Sequence, residues 1–156
     1  METDKVRMTK EEVITKYNID KDLSGLDLRG LDLRGLDLSE AYLSGANLER
    51  ANLTGADLCK ANLREANLCR ANLEGAYLHG TNLSEANLYR ANLCKANLCR
   101  ANLYRSNLSG AYLCKADLYE ANLCRADLCE ADLCEADLRE ANLCRAYLNN
   151  IMNKRI

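Results

Sequence analysis

The chain has 156 residues, 48% of them hydrophobic, with 21 basic and 23 acidic residues and a net charge of −2. A balance that even excludes bulk electrostatic attraction to nucleic acid or to an anionic membrane. No apolar run reaches membrane length, and Met1-Glu2-Thr3-Asp4 has neither the charge nor the apolar stretch of a signal peptide, so a soluble, cytoplasmic protein is expected.

The N-terminal segment, residues 1–21, opens on a polar stretch. Thr9-Lys10-Glu11-Glu12 then has capping-box spacing, with Thr at the N-cap and Glu three residues on. This predicts a helix from Lys10 to Tyr17 with Val13, Ile14 and Tyr17 on one side. So short a helix is not stable alone. Its apolar side needs a surface, and the nearest is the open end of whatever follows. It is expected to act as a lid there, blocking strand addition.

From residue 22 to 148 a leucine falls at every fifth position, from Leu23 to Leu148, at 26 positions without exception. Two residues before each leucine stands Ala from Ala41 to Ala146, save Thr81 and Ser106, and before that Leu26, Leu31 and Leu36. Between the two stands Asn or Asp, with four Tyr exceptions. On an α-helix this period smears the leucines over all faces. On one straight strand it sends successive leucines to opposite faces. A short extended triplet followed by a corner solves the problem, because Ala and Leu then both face inward. Repeated corners wind the chain into coils that stack about 4.8 Å apart through parallel hydrogen bonds. All eight glycines lie two residues after a central leucine, at the corner. Other corners carry Lys, Arg or Glu, which implies that a positive φ is not required at every one.

The unit A-(N/D)-L-x-x resembles the pentapeptide-repeat proteins, and the resemblance runs without a gap over about four-fifths of the chain. It implies an all-β fold: a right-handed quadrilateral parallel β-helix, or β-solenoid, with four pentapeptides per coil. N-terminal helical caps are seen in that family and agree with the lid read above.

Two longer beats overlie the short one. Tyr42, Tyr77, Tyr112 and Tyr147 recur every 35 residues. On a four-sided coil they fall on four different faces, as a duplication would leave them. Tyr89, Tyr104 and Tyr119 keep a 15-residue interval with no evident reason. The tail, residues 149–156, loses the motif, and its Ile151, Met152 and Ile156 are placed to cover the last coil or meet a second molecule. Topoisomerase-protecting members of the resembled family dimerise through their C-terminal ends, which implies a C-terminal-end homodimer here.

Little in the chain suggests catalysis. His79 is the one histidine, on an outward position with no partner motif nearby. No metalloprotease, phosphate-loop or dinucleotide signature occurs, and no cofactor is expected. The nine cysteines all follow a central leucine at separations that are multiples of five, so no zinc or redox Cys-x-x-Cys exists. Outward thiols in such number favour a reducing compartment. On a four-sided coil Cys94, Cys114 and Cys134 stack, which opens a thiol-based metal-binding surface as one alternative. No His or carboxylate completes that set by spacing.

Charge is uneven along the chain. Arg90, Lys95, Arg100, Arg105 and Lys115 form a basic belt. After it, Asp117, Glu120, Asp127, Glu130, Asp132, Glu135, Asp137 and Glu140 form an acidic collar expected to encircle one end. The same coil brings Arg105, Arg125 and Arg145 into register, as it does Arg50, Arg70 and Arg90, an arrangement with an electrostatic cost. Function reads as a non-catalytic solenoid with an interaction or structural role and an unknown protein partner, with no membrane and no direct nucleic-acid binding. The resemblance adds an alternative, a DNA-mimicking protein that binds DNA gyrase or topoisomerase. That alternative requires a negative stripe along the whole rod.

Overall fold

The computed structural model of the chain describes residues 8–150. Each central motif residue pairs in parallel with the residue 20 positions later, from Asp22↔Tyr42 to Asp127↔Tyr147. Four pentapeptides therefore close one coil, and the coils form a right-handed quadrilateral β-helix. Each side is so short that it contributes a single bridging residue rather than an extended strand. The four sides are named here by their first-coil residues: side one holds 21–25, side two 26–30, side three 31–35 and side four 36–40.

Leucine and alanine fill the axis. Every central leucine from Leu23 to Leu133 is buried, as is every Ala of the repeats from Ala41 to Ala131. Thr81 and Ser106 replace Ala without cost to polar pairing. Thr81 Oγ1 donates to the Leu58 carbonyl at 2.7 Å, and Ser106 Oγ donates to the Leu103 carbonyl at 2.9 Å. Two ladders lock the coils together. Leu63 N–H donates to the Asn82 carbonyl at 2.7 Å, and Asn82 N–H donates to the Ala61 carbonyl at 3.0 Å, a pattern repeated up the rod.

The Asn or Asp before each leucine does a second job. Its side-chain oxygen accepts the N–H two residues on, as Asn92 Oδ1 does from Cys94 N at 3.1 Å and Asp117 Oδ1 does from Tyr119 N at 2.9 Å. This is an Asx-turn that starts the corner, and it explains why these two residue types recur there.

The corners differ from expectation. Every corner from Gly25 to Asn150 has a positive φ, between 54° and 67°, whether it carries Gly, Lys, Arg, Glu or Asn. As far as Arg145, each is a tight turn closed by the next N–H onto the leucine carbonyl, as in Ala61 N–H to Leu58 O at 3.0 Å. A turn with a left-handed third residue is the type II geometry. A non-glycine residue there costs about 1–2 kcal/mol. It persists because the corner N–H also joins the ladder, as Lys60 N does to the His79 carbonyl at 2.9 Å.

The helix α1 spans Lys10–Asp20, three residues beyond the expected end at Tyr17. The capping box is complete: Glu12 N–H donates to Thr9 Oγ1, and Thr9 N–H donates to Glu12 Oε2 at 2.7 Å. The extension ends where Lys21 turns left-handed and its N–H bonds the Tyr17 carbonyl. Lys21 is itself the first residue of side one, so the helix C-cap and the start of the coil are one residue. Val13 is fully buried, and Met8 and Tyr17 pack on the same core beside Leu26, Leu31 and Leu36. Tyr17 Oη donates to the Ser39 carbonyl at 2.9 Å and fastens the lid to side four.

Candidate functional site: the acidic collar and the thiol columns

The 20-residue register assigns every outward side chain to a side. Asp117, Glu120, Asp137 and Glu140 fall on side four, Asp127 and Glu130 on side two, and Asp132 and Glu135 on side three. Side one carries Asn122, Arg125, Asn142 and Arg145 at the same height. The collar is thus three-sided, and the expected complete ring is interrupted by arginine.

Several collar carboxylates are engaged within the rod. Asp117, Asp127, Asp132 and Asp137 each accept the N–H two residues on, from Tyr119, Cys129, Cys134 and Arg139. Arg100 Nε donates to Glu120 Oε2 at 2.6 Å, and that bond, with the Tyr119 hydroxyl, holds the Glu120 carboxyl below the usual glutamate range. Arg139 grips Asp137 at 2.6 Å and holds its carboxyl at about 2, against an ordinary value of 3.8. Lys115 Nζ stands 3.5 Å from Glu135. Among the described residues Glu130 and Glu140 have no ion-pair partner, and both are exposed.

The register also places Cys94, Cys114 and Cys134 in one column on side three, and Cys124 and Cys144 in another on side one. All nine thiols are free. Cys114 Sγ donates to Asp132 Oδ2 at 3.0 Å, and this bond, then burial, pushes its thiol up to about 12. Burial raises Cys59 and Cys99, and the Asp127 carboxylate raises Cys129. Raised thiols are poor nucleophiles and poor thiolate ligands at neutral pH. Sequence spacing had left His79 without partners, yet the register stands it between Cys59 and Cys99 on side four. The shared interval of 20 was the signal for this column. Standing in register is not converging: among the described residues no three His, Cys, Asp or Glu side chains gather to hold a metal ion.

The tyrosines of the repeats divide into two sets. Tyr42, Tyr77, Tyr112 and Tyr147 are each about half exposed or more, one per side. Tyr89 and Tyr104 lie beneath Arg90 and Arg105 at 5.2 and 5.3 Å, and Tyr119 beneath Arg139 at 6.0 Å. The 15-residue set is therefore a set of arginine supports. Among the described residues no helix is long and apolar enough to cross a membrane. The C-terminal dimer candidates Ile151, Met152 and Ile156 lie outside the described residues.

Comparison with known proteins agrees with this geometry. A family model for pentapeptide repeats matches residues 22–58, 46–84, 81–118 and 115–150. The crystal structure of a pentapeptide repeat protein from the Arabidopsis thaliana thylakoid lumen is similar at 36% identity, covering 64% of this chain and 66% of that one, with a TM-score of 0.53. The chain thus spans just under two thirds of that relative's length. Rfr23, a pentapeptide repeat protein from the cyanobacterium Cyanothece 51142, is similar at 25% identity over 91% of this chain and 97% of that one, with a TM-score of 0.64. The plasmid-mediated fluoroquinolone resistance protein QnrB1 is 22% identical over 85% of this chain and 80% of its own, with a TM-score of 0.48, a likeness that carries no functional argument. No curated protein matches the chain.

Proposed function

The chain belongs to the pentapeptide-repeat family, and from that premise we propose that it is a non-catalytic rod that docks a protein partner on the acid-rich coils near its C-terminal end. The supporting observation is the pair Glu130 and Glu140. They are exposed and without ion pairs among the described residues, while the neighbouring corner acids Glu120 and Glu135 are paired with Arg100 and Lys115. A partner with a basic surface fits that chemistry, and charge of this kind sets approach and specificity more than affinity. Nine free thiols suit a reducing compartment, the cytoplasm.

The DNA-mimicking reading needs an unbroken negative stripe. Side four comes nearest, with Asp37, Glu40 and Asp57 towards one end and Asp117, Glu120, Asp137 and Glu140 towards the other. Lys60, Tyr77, Asn97 and Arg100 stand between them on the same side. That order supports docking at the end of the rod over docking along it.

The same end carries the least covered part of the core. Leu138 and Leu143 are partly buried, and Leu148 is 38% exposed. Two copies meeting end to end would extend both ladders and cover this surface. Sedimentation of a monomer at high concentration would remove the homodimer from the proposal.

A photo-crosslinking residue at Glu140, with one at Asn52 as control, tests the partner reading in cells. A discrete adduct from position 140 alone, lost when Glu130→Gln is added, is expected. No discrete adduct at position 140 would overturn it. Gyrase supercoiling should stay at full activity in excess protein, and inhibition would favour the DNA-mimicking reading instead.

A further inference from the structure

Several corner charges on this rod are matched along its axis. Arg100 pairs with Glu120, Lys115 with Glu135, and Arg64 with Glu85, each with a residue about one coil on. The last three residues at the corner that ends side one are not matched in this way. Arg105, Arg125 and Arg145 follow one another there in register, with rungs about 4.8 Å apart. None of the three has an ion pair among the described residues. The nearest acid in their own column, Glu85, is held by Arg64 at 3.1 Å. Asp127, two residues from Arg125, has its Oδ1 engaged by Cys129 N–H at 2.9 Å.

Three like charges in register repel one another. All three also occupy left-handed backbone, with φ of 56°, 60° and 56°, where glycine would relieve strain. Together with Tyr147 they line an open surface pocket of about 340 Å³. Arg125 is half-buried within the column, and Arg105 is steadied against the Tyr104 ring. Tyr147 is 61% exposed at the pocket's edge.

We propose that this pocket binds a short chain of linked phosphates. A guanidinium presents a planar fork of N–H donors that matches two oxygens of one phosphate, and it keeps its charge at every physiological pH. Three forks at rung spacing suit a ligand that repeats its charge along a line, which a single phosphate or sulfate does not. Two sources carry this chemistry: free oligophosphate, and a nucleoside triphosphate whose base stacks on Tyr147. The site is separate from the collar and does not depend on the docking proposal.

Calorimetric titration of the full chain with tripolyphosphate and with ATP tests it. One saturable site per chain is expected, weakened about tenfold or more by Arg125→Gly. Glycine suits the φ of 60° at that corner, so the variant loses charge without losing the fold. Arg70→Gly, at a corner with φ of 56° in the other arginine column, should leave binding unchanged. Equal affinity for the two ligands would identify the phosphate chain as the whole ligand. Tighter binding of ATP, lost in Tyr147→Ala, would identify a nucleotide. Absence of saturable binding to either ligand, or an equal loss in Arg70→Gly, would overturn the proposal.

Discussion

The side-chain amide of Asn82 donates to the side-chain oxygen of Asn62, one coil earlier, at 3.3 Å. The same Asn82 oxygen accepts from Ser84 N and Ser84 Oγ at 3.1 and 2.7 Å. One residue thus starts its own corner and ties its coil to the one before. Asn82→Ala removes both roles and should cost about 1–3 kcal/mol in denaturant unfolding. Asn82→Asp keeps the acceptor and loses only the donor, so it should cost less. Equal losses would show that the ladder between coils, and not the corner, carries the effect.

Gly55 separates backbone from space. A Cβ there meets nothing within 4 Å, yet its φ is +64°. Gly55→Val should therefore destabilise by about 1–2 kcal/mol with no clash to explain it. Gly55→Asn should be milder, because asparagine tolerates this conformation. Thermal melts of the two variants give the comparison, and a valine variant as stable as the parent would contradict the strain argument.

How much of this was legible follows from what each residue answers to. Burial of the leucines could be read directly, because only an inward corner gives a five-residue period a common face. The lid helix was marked by Thr9 and Glu12, though not its end, which depends on Lys21 serving both helix and coil. The left-handed corners were misread because Lys, Arg and Glu avoid that conformation as isolated residues. Here the ladder bond from the corner N–H, present from Gly25 to Glu130, outweighs the local preference. The engagement of Asp117, Asp127, Asp132 and Asp137 was hidden too. Their charge was plain, but their bonds to the N–H groups two residues on are a matter of geometry.

Acid should loosen the rod in a defined window. Asp32 and Asp137 are each held at about 2 by the neighbouring arginine, Arg34 and Arg139, against an ordinary 3.8. A carboxyl depressed in the folded state stabilises it above the unfolded value, and that stability is lost as pH falls through the folded value. The melting temperature should thus drop between about pH 5 and pH 2. Both groups face solvent, so the drop should be modest and smaller in high salt. Replacing both by Asn should flatten the profile, and an unchanged slope would place the acid sensitivity elsewhere.

Thiol chemistry should follow hydrogen bonding. Cys114 is half-buried and bonded to Asp132, whereas Cys144 is exposed. Alkylation at pH 8, read by peptide mass, should modify Cys144 first and Cys114 far more slowly. Asp132→Asn keeps an oxygen for the N–H of Cys134 and removes the negative charge, so it should speed reaction at Cys114. No change in that variant would mean that burial alone protects the thiol.

Scalar couplings across hydrogen bonds, measured by NMR on labelled protein, test the four-sided coil most directly. The Leu63 amide should couple to the Asn82 carbonyl, and the Asn82 amide to the Ala61 carbonyl, as their 2.7 and 3.0 Å bonds require. Couplings to residues about 15 positions away, as a three-sided coil would give, or to residues four apart along a helix, would contradict the account.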